Sequence, residues 1–304
     1  MKALVVGYGS IGSRHARLLN EMRFEVRTVS GREIDQYEHY KTIGDALADY
    51  SPDYVVIANE TERHYNSLAT LAACNYKGLV LVEKPLFGQP IDTPVNEFKG
   101  LYVGYNLRFH PVMQKLRVLL TGERIISFQV YVGQYLPHWR PHNDYRQSYS
   151  ASKALGGGVL RDLSHELDYT NWLLGGWERL TALGGHYSQL DIDSDDVFSI
   201  LATTRKCPVV SLQLNYLDRL SRREILINTD RHTIKADLVN AALTIDDRPE
   251  SHNITRDFTY TAQHTAVTGG DTILTCSAQD GTAVLRMIEA AEKAVTTKGW
   301  VLNG

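Results

Sequence analysis

Over the first hundred residues, short apolar runs alternate with stretches whose apolar side chains recur every three or four positions. Residues 3–6 (Ala-Leu-Val-Val) predict a buried parallel strand, and residues 13–20 after them a helix. The same alternation predicts strands at 24–29, 53–58, 79–82 and 101–105 and helices at 42–50 and 64–75, the order of a doubly wound α/β sheet. Past residue 104 the pattern changes. A helix is predicted at 111–120, a partly alternating strand at 125–133, a polar and aromatic loop at 134–154 and a helix at 159–174. Six more strands, at 180–187, 196–203, 209–216, 223–228, 232–237 and 242–246, predict a mostly antiparallel sheet with one face covered. A helix at 280–297, with Val284, Ile288, Ala291 and Val295 at helical spacing, closes the chain. Two domains follow, residues 1–104 and 105–304.

Composition narrows the class. A net charge of −3 over 304 residues asks for neither nucleic acid nor an anionic membrane. The first apolar run is too short for a signal peptide, and no stretch approaches the roughly 18 apolar residues of a membrane span. Cys74, Cys207 and Cys276 are isolated, without a paired spacing, and read as thiols of a reducing compartment. A cytoplasmic protein is expected.

Candidate chemistry begins at Gly7-Tyr8-Gly9-Ser10-Ile11-Gly12, between the first strand and the first helix. In a dinucleotide site Gly7 permits the tight turn, Gly9 lets a pyrophosphate reach the backbone, and Gly12 lets helix and strand pack closely. The second strand ends in Ser30-Gly31-Arg32, where a hydroxyl and a guanidinium suit a ribose 2′-phosphate. NADP is therefore favoured over NAD; Arg14 would add charge if it faced that pocket, and a small register shift would make Glu33 an acidic reader of NAD. Asn59-Glu60 ends the strand at 53–58, and Glu83-Lys84-Pro85 follows the strand at 79–82, both on the edge where ligands gather in open α/β sheets. Lys84 there polarises a carbonyl or bonds a substrate oxygen; the plainer alternative is a solvated loop lysine partnered by Glu83. On a helical wheel of 159–174, Val159, Leu160, Leu163, Leu167 and Leu174 form the core stripe. Asp162, His165 and Tyr169 fall opposite, as an acid and an imidazole that take a hydroxyl proton or as ordinary polar residues of a solvent face. Asp168, three residues from His165, is a second orienter. No metal site is expected, since His138, His142 and Asp144 match no tetrahedral spacing. Ser164, His165 and Asp162 do not make a hydrolase triad, because adjacent helix residues do not face each other.

The glycine turn, Glu83-Lys84-Pro85, Gly104-Tyr105-Asn106-Leu107-Arg108-Phe109-His110-Pro111, and Gly156-Gly157-Gly158 leading to Asp162, His165 and Asp168 together resemble the Gfo/Idh/MocA oxidoreductases, as do Asp280-Gly281 and Gly299-Trp300-Val301 near the end. The resemblance covers essentially the whole chain. It implies a Rossmann domain followed by an α+β domain with a large, open, mostly antiparallel sheet whose outer face joins subunits into a homodimer or homotetramer. It also implies Lys84, Asp162 and His165 as catalytic groups, with His165 as acid/base, Asp162 as substrate anchor and Lys84 as electrostatic and positioning group meeting at the nicotinamide. Asp162 and His165 stand three positions apart, against four in a common family spacing. Gly7, Gly9, Ser10, Ile11, Gly12, Ser30, Gly31, Arg32, Asn59, Glu60, His64, Glu83, Lys84 and Asn106 would hold the cofactor. Trp139, Arg140, Tyr145 and Arg146 would line the substrate pocket with Lys84, Asp162 and His165.

The expected activity is NADP- or NAD-dependent hydride transfer to or from a hydroxyl-bearing carbon of a sugar, inositol or nucleotide sugar, whose hydroxyls or charges would suit Arg140, Arg146 and Arg161. A non-catalytic sensor of the same fold and an imine or pyrrole reductase are the alternatives.

Overall fold

In the computed structural model, which describes residues 1–139 and 143–304, the chain divides into two units. One comprises Met1–Phe109 with Arg256–Thr282, the other His110–Thr255 with Ala283–Gly304.

The first unit is built on β1 (Lys2–Val6), α1 (Ser10–Glu21), β2 (Glu25–Val29), β3 (His39–Tyr40), α2 (Ile43–Asp49), β4 (Tyr54–Ile57), α3 (His64–Ala73), β5 (Leu79–Val82) and β6 (Gly100–Val103). The strands lie in the order β6-β5-β4-β1-β2-β3, all parallel. β4 and β5 are buried along their whole length, as apolar runs covered on both faces must be. Ala16 and Leu19 of α1 pack on Ala3, Val5, Tyr54 and Val56. Thr42 caps α2 by accepting from the Asp45 N–H at 3.1 Å.

The division at residue 104 needs correcting in two ways. The first unit runs on to Phe109, and Arg256–Thr282 returns to it. That return carries a helix, Phe258–Gly269, absent from the sequence-based expectation, and a strand, Cys276–Ser277, which pairs antiparallel with β6. Thr259, Thr261, Thr265 and Thr268 are weak helix formers, so propensity hides the helix. Its burial of Thr259, Gln263, His264 and Val267 is what holds it in place.

The second unit holds α4 (Pro111–Leu119), β7 (Ile125–Gly133), α5 (Val159–Asp162), α6 (His165–Leu174), β8 (Trp177–Gly185), β9 (Val197–Thr204), β10 (Val209–Asn215), β11 (Arg222–Thr229), β12 (Thr233–Asp237), β13 (Ala242–Ile245) and β14 (Arg248–Ser251). Its sheet runs β14-β13-β12-β11-β7-β10-β9-β8 and ends on a short strand, Val301–Leu302. β7 and β10 are parallel, and the other described pairs are antiparallel. Phe128, Val130, Leu212 and Leu214 point inward, whereas Leu183, Leu201 and Val209 are exposed, the alternation of a sheet with one covered face.

The single helix expected at 159–174 is two. α5 ends at Leu163, whose φ/ψ of −98°/31° leaves the helical region. The Ser164 N–H turns to the Arg161 carbonyl at 3.4 Å, and α6 restarts at His165. The start of α5 is pinned from outside: the Val159 N–H donates to the Asp195 carbonyl and the Leu160 N–H to its carboxylate, both at 3.0 Å. The apolar stripe survives the break, with Val159, Leu160, Leu163, Leu167 and Leu174 all buried.

A Cβ placed on Gly12 would lie 2.0 Å from the Gly7 carbonyl oxygen. Gly12→Ala should therefore destabilise the protein by about 1–3 kcal/mol, the usual cost of overpacking. A urea-unfolding midpoint equal to the wild type's would show that the turn tolerates the added carbon.

Candidate active site

In the first unit the candidate residues gather at the carboxyl edge of the parallel sheet. The Gly7 N–H donates to the Val29 carbonyl at 2.9 Å, and a Cβ at this position (φ +92°) would strike the Asn59 backbone at 2.6 Å. The turn thus needs glycine at Gly7 and Gly12. Gly9 is different, because a Cβ there would meet nothing within 4 Å. It stands as the N-cap of a twelve-residue helix, whose free N–H groups and dipole favour an anion in that open space. Tyr8, Ser10, Ser13, Arg14 and Tyr37 border a cleft of about 290 Å³ beside it.

Ser30 is buried and its Oγ accepts from the Arg32 N–H at 2.9 Å, while Arg32 is exposed. Glu33 is held by Lys41 at 2.6 Å and His39 at 3.2 Å, and the Lys41 bond and charge lower its pKa. The Arg14 guanidinium is drawn towards Asp257, at 3.6 Å, and lies over the Tyr260 ring. Asn59 donates to the Ser67 hydroxyl at 2.9 Å, and its buried Oδ1 has no hydrogen-bond partner among the described residues. That acceptor, the open space at Gly9 and the exposed Arg32 suit a dinucleotide. Glu60 is exposed beside Arg63.

Two residues expected to touch the cofactor are committed elsewhere. His64, 1% exposed, sets Nδ1 at 3.1 Å from the Pro85 and Leu86 carbonyls and Nε2 at 3.1 Å from the Asn59 carbonyl. Burial lowers its pKa, and its place is to tie the end of β4 to the turn after β5. Asn106, also buried, donates to the Thr259 hydroxyl at 2.8 Å. Lys84 is half-buried at the end of β5. Its N–H donates to Glu83 Oε2 at 3.2 Å, and Glu83 Oε1 lies 2.8 Å from His15 Nε2. Burial alone would raise the Glu83 pKa, but the His15 contact and the Lys84 charge outweigh it and leave the pKa lowered.

In the second unit Asp162 is buried, and its Oδ2 accepts from the Tyr216 hydroxyl at 2.6 Å. Burial, with the Asp162 charge adding to it, pushes the Tyr216 pKa well up, so the phenol keeps its proton. Trp139 lies edge-on to Tyr216, ring centroids 5.2 Å apart, and donates from Nε1 to the Gln134 carbonyl at 3.2 Å. Half-buried His165 opens α6 while Asp162 closes α5, so the helical wheel relating them does not apply. Tyr169 leaves the expected polar face, and Asp168, the second orienter expected for His165, lies inside with it. Both are buried, and the Tyr169 hydroxyl donates to Glu166, which pairs with Arg223 at 2.8 Å.

The remaining candidates lie in the long loop and in α5. Arg146 is exposed and bound to Asp144 through bonds of 2.7–3.0 Å. Arg161 pairs with Glu292 at 2.5 Å. Tyr145 is half-buried and accepts from the Asp191 N–H at 3.3 Å. Arg140 and His142 lie outside the described residues. Tyr216 and Asp195 were not anticipated, since nothing local in the sequence marks partners 54 and 35 residues away.

A profile of the Gfo/Idh/MocA oxidoreductase family, NAD-binding Rossmann fold, matches residues 1–94, and one of the Gfo/Idh/MocA C-terminal domain matches residues 114–235. The rhizopine catabolism protein MocA of Rhizobium meliloti is 28% identical over 191 residues, 56% of this chain and 56% of that protein, so the match spans little more than half of the relative. Among solved structures, levoglucosan dehydrogenase with NADH and L-sorbose superposes with a TM-score of 0.85 at 14% identity, covering 99% of this chain and 98% of that one. GenD2 from gentamicin A biosynthesis with NAD gives 0.80 at 20%, covering 100% and 96%. The WlbA dehydrogenase of Bordetella pertussis with NADH and UDP-GlcNAcA gives 0.80 at 18%, covering 100% and 98%. At these identities the likeness is one of fold.

Asp195, which pins α5, has its pKa pushed up from 3.8 to about 6, chiefly by burial. A carboxyl raised on folding binds more protons in the folded state, so its contribution to stability falls as pH rises from about 4 to 6 and is flat above. The stability difference between wild type and Asp195→Asn should shift by on the order of 1–3 kcal/mol across that window. A difference independent of pH in calorimetry would place the Asp195 pKa at its ordinary value.

Proposed function

The chain belongs to the Gfo/Idh/MocA oxidoreductase family, and on that premise we propose that it transfers hydride between a nicotinamide dinucleotide and a carbinol or carbonyl carbon of a small sugar-like substrate. The observation that carries this reading is the placement, on one edge of one parallel sheet, of an open glycine turn after β1 and a half-buried lysine after β5. Sugar and nucleotide-sugar ligands named for the similar folds agree with it.

The dinucleotide supplies the hydride acceptor or donor at its nicotinamide. Gly9 and the first N–H groups of α1 bind its phosphates. Lys84 orients the substrate oxygen and offers positive charge to it as negative charge builds there. His165 takes or returns the hydroxyl proton, and Asp162, hydrogen-bonded by Tyr216, anchors the hydroxyl. For the ribose, exposed Arg32 favours the 2′-phosphate of NADP, and the ion pairs that hold Glu33 take away the acidic reader of NAD. The NAD and NADH of the similar structures make NAD the competing choice. Exposed Leu183, Leu201 and Val209 on the open face of the sheet support a homodimer or homotetramer. Free thiols at Cys74, Cys207 and Cys276 support a cytoplasmic site of action; no helix among the described residues is long and apolar enough to cross a membrane.

Absorbance of reduced nicotinamide, followed across a panel of sugars and sugar nucleotides, tests the reading. Lys84→Ala and His165→Ala should each lower kcat by roughly 10²–10⁴-fold, the range of general acid–base catalysis. Wild-type rates in both variants would remove them from the chemistry. Arg32→Ala should raise the Kd for NADP about tenfold, one charge-assisted contact, and leave NAD unchanged. Equal losses for both cofactors would overturn the 2′-phosphate assignment.

A further inference from the structure

Behind Glu83 the first unit buries a line of ionisable groups that the proposed chemistry does not use. Glu83 Oε1 is 2.8 Å from His15 Nε2, His15 Nδ1 is 2.9 Å from His264 Nε2, and His264 Nδ1 is 3.0 Å from the Tyr54 hydroxyl. His15, His264 and Tyr54 are each 0% exposed. They come from α1, the Phe258–Gly269 helix and β4, and meet at the end of β5.

The contacts admit two proton arrangements once Glu83 is ionised. In one, both imidazoles are neutral and protonated on Nε2. Tyr54 then donates to His264, His264 to His15, and His15 to Glu83, so every buried N–H and O–H has an acceptor. In the other, one ring is an imidazolium: either His15, donating to Glu83 and to a His264 that donates from Nδ1 to the Tyr54 oxygen, or His264, donating to His15 and to the Tyr54 oxygen. The Tyr54 O–H is then a buried donor with no acceptor among the described residues, which costs the desolvation of a hydroxyl. Burial lowers the His264 pKa and raises the Tyr54 pKa, in keeping with the first arrangement.

We infer that Tyr54, His264 and His15 form a one-way chain of hydrogen bonds, each donating towards Glu83, and that they act as positioning residues for the Lys84 turn. The far end of the chain holds Glu83 Oε1, and Glu83 Oε2 holds the Lys84 N–H. Gly104 makes room for this carboxylate, since a Cβ there would lie 2.9 Å from Oε1. The other ionisable groups facing the chain are Lys84, Tyr76 and Tyr260, the last 5.6 Å from the His15 ring with Arg14 over its other side and Asp257 beyond. The Tyr260 pKa is pushed up to about 12, mainly by burial, so it stays neutral.

The full-length protein labelled with ¹⁵N in its histidines, with His15→Gln and His264→Gln for assignment, decides the proton positions by NMR without any ligand. Both rings should show protonated Nε2 and bare Nδ1. An imidazolium at His15, or an Nδ1–H at His264, would overturn the one-way chain. Its effect on turnover rests on the oxidoreductase reading, and the proton positions do not, so the two can fail separately. His264→Leu removes both donor and acceptor and should lower kcat about tenfold, the rate equivalent of one charge-assisted hydrogen bond. Dinucleotide Kd should stay within about twofold. His264→Gln retains one donor and one acceptor and should restore most of the rate. An unchanged kcat in His264→Leu, or no rescue by glutamine, would end the positioning role.

Discussion

An ionised carboxylate taken out of water is tolerable only where fixed donors replace its hydration, and Glu83 sets that requirement at the centre of the first unit. It is 7% exposed, and its two oxygens face the His15 ring and the Lys84 N–H. Meeting the requirement draws four segments to one point. The glycine turn sets the direction of α1 and so delivers His15, β4 delivers Tyr54, the end of β5 carries Glu83 itself, and Arg256–Thr282 brings His264. The same close packing leaves Gly9 open and Lys84 half-buried on the carboxyl edge. Its apolar surroundings strengthen the polar contacts and raise the cost of losing any one of them.

The second unit solves a related problem with different parts. Asp162 is buried yet hydrogen-bonded by a phenol that burial keeps protonated, and Trp139 walls the other side of that phenol. The helix break after Asp162 frees His165 from the rotation a continuous helix would impose. Asp195, whose pKa burial raises to about 6, is fixed on the first turn of α5.

Much of this was legible in advance where the signal was local. The strands of the parallel sheet are short apolar runs, and burial on both faces leaves no other reading of β4 and β5. The glycine turn lies between strand and helix, with no room for a Cβ at Gly7 or Gly12 and open space at Gly9. Legibility ended where a long-range contact overrode local preference. The threonine-rich Phe258–Gly269 helix is held by burial, the start of α5 is fixed by Asp195, and Arg146 and Arg161 are claimed by carboxylates at Asp144 and Glu292. Resemblance supplied Lys84, Asp162 and His165 as a set; no periodicity along the chain reveals Tyr216 or His264 beside them.

The discontinuity of the first unit bears on biosynthesis. His15 and His264 are 249 residues apart, with all of His110–Thr255 translated between them. As the polypeptide leaves the ribosome, the parallel sheet emerges early, lacking its edge strand Cys276–Ser277 and its last histidine until the intervening unit has been made. A nascent chain halted before residue 256 would hold the nucleotide-facing glycine turn over an unfinished interior, so maturation of this half waits on the part of the message that encodes residues 256–282.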